Sequence, residues 1–113
     1  MHEAAIARQI VSAAVSAAKE AGAGRILEIR MSIGVLSGVE PLLLEKALEE
    51  TAKGTPVEGA RLAARYIPPR LNCLDCGKES EGRRGLYVCP FCGSAAIRLI
   101  GGSGYRLDEL LAE

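Results

Sequence analysis

The chain has 113 residues, with 14 Lys and Arg balanced by 14 Asp and Glu, one His and four Cys. Zero formal charge and 4% aromatic residues disfavour a polybasic nucleic-acid or membrane binder and leave few rings on which bases could stack. The length allows one ordinary domain, or a small domain with a metal-stapled module.

Residues 4–21 predict an amphipathic helix. Ile6, Ile10, Ala14, Ala17 and Ala21 recur at three- and four-residue spacing, and Val11, Val15 and Ala18 widen the stripe. Gly22 and Gly24 end it. Charged residues interrupt this and every other apolar run well short of the roughly 18 residues a membrane span needs. No basic region precedes the first apolar stretch, so a secretory leader is not expected and a cytoplasmic location is the default.

Residues 25–35 alternate as a half-buried strand, with Leu27, Ile29, Met31, Ile33 and Val35 on one face and Glu28, Arg30 and Ser32 on the other. A second helix begins near Glu40-Pro41, where proline fits the first turn, and runs through Leu43, Leu44, Ala47, Leu48 and Thr51 to Gly54. Residues 60–67 alternate again, with Ala60, Leu62, Ala64 and Tyr66 on one face, and stop at Pro68-Pro69. Helix, strand, helix, strand with short connections describes two helices on a small sheet. Residues 70–100 hold all four cysteines and eight charged residues, with only scattered large apolar side chains: Leu71, Leu74, Leu86, Val88, Phe91, Ile97, Leu99 and Ile100. Such a segment needs a staple to fold. Its spacer carries Lys78, Arg83 and Arg84, but with Glu79 and Glu81 among them it reads as a solvated hairpin loop rather than a nucleic-acid contact. After Gly101-Gly102, the segment from Tyr105 is read as a further strand of the first domain, with a short helix over residues 108–113 as the alternative.

Cys73-Leu74-Asp75-Cys76-Gly77 and Cys89-Pro90-Phe91-Cys92-Gly93 form two C-x2-C turns separated by a twelve-residue spacer. Two intervening residues let a tight turn aim both sulfurs at one ion, and the following glycine permits a left-handed backbone. Two such turns face to face make a tetrahedral four-sulfur cage, the geometry of closed structural zinc sites. A reducing compartment argues against disulfides. A rubredoxin-like iron centre would want more aromatic cover than Tyr87 and Phe91, and a redox dithiol would not need a second pair. Four thiolates around a zinc dication would lower the formal charge to about −2.

The single histidine is His2. A bulky second residue leaves the initiator Met1 in place, so an α-amine, the His2 amide and the His2 imidazole can close adjacent chelate rings around one ion. The Glu3 amide can add a nitrogen, and the Glu3 carboxylate can act in an outer shell. A planar all-nitrogen set suits Ni(II) or Cu(II) rather than zinc. The competing reading is a loose terminus in which His2 has no role.

Met1-His2-Glu3 opening into an amphipathic helix, with paired C-x2-C turns in the C-terminal half, resembles the HypA/HybF family of hydrogenase nickel-incorporation proteins. The likeness spans nearly the whole chain, including the strand leading to Gly34 and Ser37 and the closing segment from Tyr105 to Glu113. It implies an α+β fold in which a small mixed sheet flanked by two helices, residues 1–69 plus 101–113, carries an inserted zinc-ribbon domain, residues 70–100. It also implies a nickel metallochaperone rather than an enzyme. Met1, His2 and Glu3 would hold Ni(II) as cargo, and Cys73, Cys76, Cys89 and Cys92 would hold structural zinc. The partners implied are the nickel-handling GTPase HypB and the large subunit of a nickel–iron hydrogenase, with urease served in some organisms. The chain itself would be a monomer or weak homodimer. Some family members have a histidine in or near the zinc domain; this chain has none. Both an α-amine and an imidazole must be unprotonated to bind, so nickel affinity is expected to fall between about pH 8 and pH 6. A zinc-ribbon module for nucleic acid or a transcription assembly, with an incidental N-terminus, is the alternative from another class.

Overall fold

The computed structural model describes residues 2–82 and 87–113. Met1, Arg83, Arg84 and Leu86, all considered above, lie outside the described residues. The elements in order are α1 (Glu3–Ala21), β1 (Ile26–Gly34), a 3-10 turn (Val35–Ser37), α2 (Pro41–Ala52), β2 (Arg61–Ile67), β3 (Arg70–Cys73), β4 (Glu79–Glu81), β5 (Ile97–Gly101) and β6 (Tyr105–Ala112). The chain divides into two compact units: Met1–Ser32, Gly38–Arg65 and Arg106–Glu113 form one, Ile33–Ser37 and Tyr66–Tyr105 the other. The expected strand after Gly101-Gly102 forms as β6, and the helical alternative is not taken.

In the first unit α1 and α2 pack on one another. Glycine ends α1 because Gly22, at φ 68°, can turn left-handed, allowing the Ala23 amide to reach back to the Ala18 carbonyl at 2.9 Å. The buried face of α1 is Glu3, Ile6, Ala7, Ile10, Val11, Ala14 and Ala18. Ala17 is half-buried and Ala21 exposed, so the stripe sits slightly rotated from the expected one. On α2, Leu44 and Leu48 are buried whereas Leu42 and Leu43 face outward. Expected as part of the apolar face, Leu43 instead falls about 100° away from Leu44 around the helix axis.

One three-stranded sheet has the order β2-β1-β6. Arg61 contacts Glu28 and Arg65 contacts Ser32, a constant offset along the chain that makes β2 parallel to β1. β6 runs antiparallel to β1, with Glu113 bonded to Arg25 and Gly104 bonded to Gly34. The sheet is therefore mixed, and α2 is the crossover that a parallel pair requires. Ile29, Met31 and Ile33 are buried as the alternation predicts. Glu28 and Ser32, expected on the solvent face, are buried as well. Charge pairing explains this. Arg61 and Arg30 both bond the Glu28 carboxylate, at 2.8 and 2.7 Å, and their aliphatic stems can cover it. Ser32 donates to Asp108 at 2.5 Å and accepts from Arg65 at 3.3 Å. Two further side chains depart from the expected faces: Ile26 rather than Leu27 is buried at the start of β1, and Tyr66 is exposed on the edge strand β2.

In the second unit β3 lies between β4 and β5, antiparallel to both. The pairing of Arg70 with Gly101 brings the two ends of the cysteine-bearing segment side by side, with an irregularity between Arg70 and Leu71. Glycine is needed where backbones cross here. Gly34 donates to Gly104 O at 2.8 Å, and a Cβ on Gly34 would collide with the Gly102 carbonyl. Gly102, at φ 92°, has Pro69 Cα where its own Cβ would need to be, 2.7 Å away. Within residues 70–100, the buried apolar side chains among the described residues are Leu71, Cys73 and Cys89. Leu74, Phe91, Leu99 and Ile100 are exposed, so the segment lacks an apolar core of its own size.

Candidate metal centres

The N-terminal candidate is built on the start of α1. His2 is the N-cap residue, exposed, with φ −118° and ψ 18°. Its carbonyl accepts the Ile6 amide at 2.9 Å, which fixes its backbone at the first helical turn. The imidazole makes no capping hydrogen bond. Glu3 behaves differently. It is only 6% exposed, and its carboxylate accepts the Glu40 amide at 2.9 Å. That bond is the main reason the Glu3 carboxyl is held down at about 2, well below the ordinary range. Glu40 is in turn the N-cap of α2, accepting the Leu42 amide at 3.3 Å ahead of Pro41. The Glu3 side chain thus ties together the starts of two helices, a role that local pattern does not reveal because its partner lies 37 residues away. Met1, the third member of the expected set, lies outside the described residues.

The four cysteines converge. Their sulfurs all lie within 4.8 Å of one another, with Cys73 to Cys92 and Cys76 to Cys89 each 3.6 Å apart. A tetrahedron with metal–sulfur bonds of about 2.3 Å has edges of about 3.8 Å, so the spacing fits a single zinc ion. All four are free thiols. Cys73 and Cys89 are buried, Cys76 and Cys92 exposed.

Each C-x2-C turn is closed by the same bonds. Gly77 donates to Cys73 O at 2.9 Å and Gly93 to Cys89 O at 2.8 Å; Cys73 donates to Lys78 O at 3.0 Å and Cys89 to Ser94 O at 2.9 Å. Both glycines are left-handed, at φ 76° and 77°, as the motif predicts. The turns point backbone amides at the sulfurs. Cys76 and Asp75 donate to Cys73, and Cys92 and Phe91 to Cys89; Lys78 donates to Cys76 and Ser94 to Cys92. Without metal, the Cys92 amide is the main cause holding the Cys89 thiol down at about 6, and the Cys76 amide lowers Cys73 likewise. The Ser94 amide favours the Cys92 thiolate, but its sulfur neighbour Cys73 and burial outweigh it and push that thiol up to about 12. Cys76 is raised similarly, burial and Cys89 overcoming the Lys78 amide. Such a set binds a dication by releasing protons.

Two side-chain contacts join the turns: Ser94 Oγ donates to Asp75 Oδ2, and Lys78 Nζ sits 4.8 Å from the centre of the Phe91 ring. Lys78 was expected in a solvated hairpin loop with Arg83 and Arg84; it is exposed, as expected, but pairs with an aromatic ring. The other two lie outside the described residues. The signal that could have flagged these contacts is the matched register of the two turns.

A family model described as hydrogenase/urease nickel incorporation, metallochaperone, HypA matches residues 1–112. The chain belongs to the HypA family. Hydrogenase maturation factor HypA of Aquifex aeolicus is 39% identical over all of this chain and 98% of that relative. The HypA of Geobacter metallireducens is 38% identical over the full length of both. A solution structure of a HypA protein superposes with a TM-score of 0.75 at 25% identity, covering all of this chain and 97% of that one. Membership of the HypA family makes the chain a hydrogenase/urease nickel-incorporation metallochaperone, a maturation factor rather than a catalyst. It also bears out the α+β architecture and sets aside the nucleic-acid alternative.

Proposed function

We propose that this chain carries Ni(II) on its N-terminus, through the Met1 amine, the His2 amide and imidazole and the Glu3 amide, and delivers it to a nickel–iron hydrogenase. The observation that carries the reading is an exposed His2 whose imidazole makes no capping hydrogen bond, in a chain that matches a nickel-incorporation family over residues 1–112. The Glu3 carboxylate acts one step back: by holding Glu40 it steadies the helix start on which the nitrogen donors sit. Cargo held at a terminus can be released stepwise, as a partner's ligands replace one nitrogen after another. HypB and the hydrogenase large subunit are the proposed partners, in a cytoplasmic setting.

Cys73, Cys76, Cys89 and Cys92 are assigned to structural zinc, making residues 70–100 the zinc domain and residues 1–69 with 101–113 the nickel domain. Sulfur spacing and six inward-facing amides support zinc; bound zinc supplies the folding energy that Leu71 and two buried thiols cannot. The deciding experiment is nickel titration of the native N-terminus beside His2→Ala and a variant extended ahead of Met1. Loss of tight binding in both variants is expected. Equal binding by all three would remove the N-terminal site.

A further inference from the structure

The two cysteine turns repeat with a shift of sixteen residues: Cys73, Asp75, Cys76, Gly77 and Lys78 correspond to Cys89, Phe91, Cys92, Gly93 and Ser94. Under that shift the two cross-turn contacts map onto each other. Asp75 with Ser94 becomes Phe91 with Lys78. Each contact joins the second residue after one turn's leading cysteine to the residue following the other turn's glycine. One is a charged hydrogen bond and the other a cation over an aromatic face, so similar geometry is built from different chemistry.

These four residues also donate backbone amides to the sulfurs, one residue to each: Asp75 to Cys73, Lys78 to Cys76, Phe91 to Cys89 and Ser94 to Cys92. Their side chains therefore clamp the amides that face the metal ligands. Each turn is already closed within itself, so the open mode left to the site is separation of one turn from the other. The exposed pair, Cys76 and Cys92, is where a competing ligand would enter. Asp75 and Lys78 flank the first of these, and Ser94 and Phe91 the second.

We propose that the Asp75–Ser94 and Lys78–Phe91 contacts are a pair of clasps that keep the two turns closed on the metal and set how slowly it leaves. This rests on the reading of the four cysteines as a zinc site. The clasp residues are positioning residues, acting through the orientation of the cysteines and their amide donors, as outer-shell partners do at other metal sites.

The test follows transfer of zinc from the loaded full-length chain to excess chromogenic chelator at neutral pH. Asp75→Ala and Phe91→Ala each speed release several-fold, and the double variant reaches about tenfold or more. Asp75→Asn keeps an oxygen to accept from Ser94 Oγ and restores a rate close to the wild type. Cobalt(II)-loaded variants retain the absorption of a tetrahedral tetrathiolate centre, which shows that the sulfurs still assemble. Phe91→Leu, which keeps bulk but no ring face, replaces Phe91→Ala if that variant does not assemble. Wild-type release rates in the alanine and leucine variants would overturn the clasps and leave the zinc assignment standing. An Asp75→Asn rate as fast as Asp75→Ala would overturn the polar clasp. A wild-type chain that takes up neither zinc nor cobalt stoichiometrically would overturn the clasps and the zinc assignment together.

Discussion

At the scale of single residues, carboxylates in this protein hold structure by being charged. Glu28 is buried under Arg30 and Arg61, whose hydrogen bonds, Arg30's first, keep its carboxyl below the ordinary range. A folded value below the unfolded one stabilises the native state above the unfolded titration range. That contribution disappears as pH falls through the lowered value. Glu28→Gln should therefore lower the urea midpoint at pH 7, with the gap to the wild type closing below about pH 4. A gap that stays constant with pH would assign the effect to shape alone. Asp108, lowered chiefly by the Ser32 hydroxyl and then by Arg106, adds to the same acid sensitivity.

At the scale of elements, backbone crossings decide which substitutions the fold accepts. Gly34→Ala drives a methyl group into the Gly102 carbonyl and to within 2.8 Å of the Ser103 amide, so backbone must move. A loss of about 1–3 kcal/mol in chemical denaturation is expected. Gly24→Ala meets only Glu113 O, 4.0 Å away, and should stay within about 0.5 kcal/mol of the wild type. Local pattern made α1, β1 and α2 legible because each buries one apolar stripe against its neighbours. The cysteine turns were legible because ligand spacing and glycine conformation are properties of five consecutive residues. What could not be read depends on long-range pairing. Glu28 and Ser32 looked like solvent-facing positions because their arginine cover comes from β2, and Glu3 looked like a surface acid because its partner begins α2.

At the scale of the molecule, helices and cysteine turns belong to separate compact units. Stripping metal with a strong chelator should abolish the thiolate absorption and the dispersion of residues 70–100 in an NMR spectrum, while most far-UV helical signal from α1 and α2 persists. A simultaneous loss of helix would show that the units fold as one. Yet the helical unit should not be indifferent to the metal, because β6 reaches β1 only after the chain has passed through residues 68–104. With the cysteine segment folded, Arg70 and Gly101 are opposite one another on adjacent strands and the excursion ends where it began. Unfolded, it becomes a floppy loop whose closure costs about 3 kcal/mol of chain entropy. During synthesis β6 emerges after this loop, so an ion captured in time shortens the search for the last strand. Metal supply thereby acts on the completion rate of a sheet that holds none of the four cysteines.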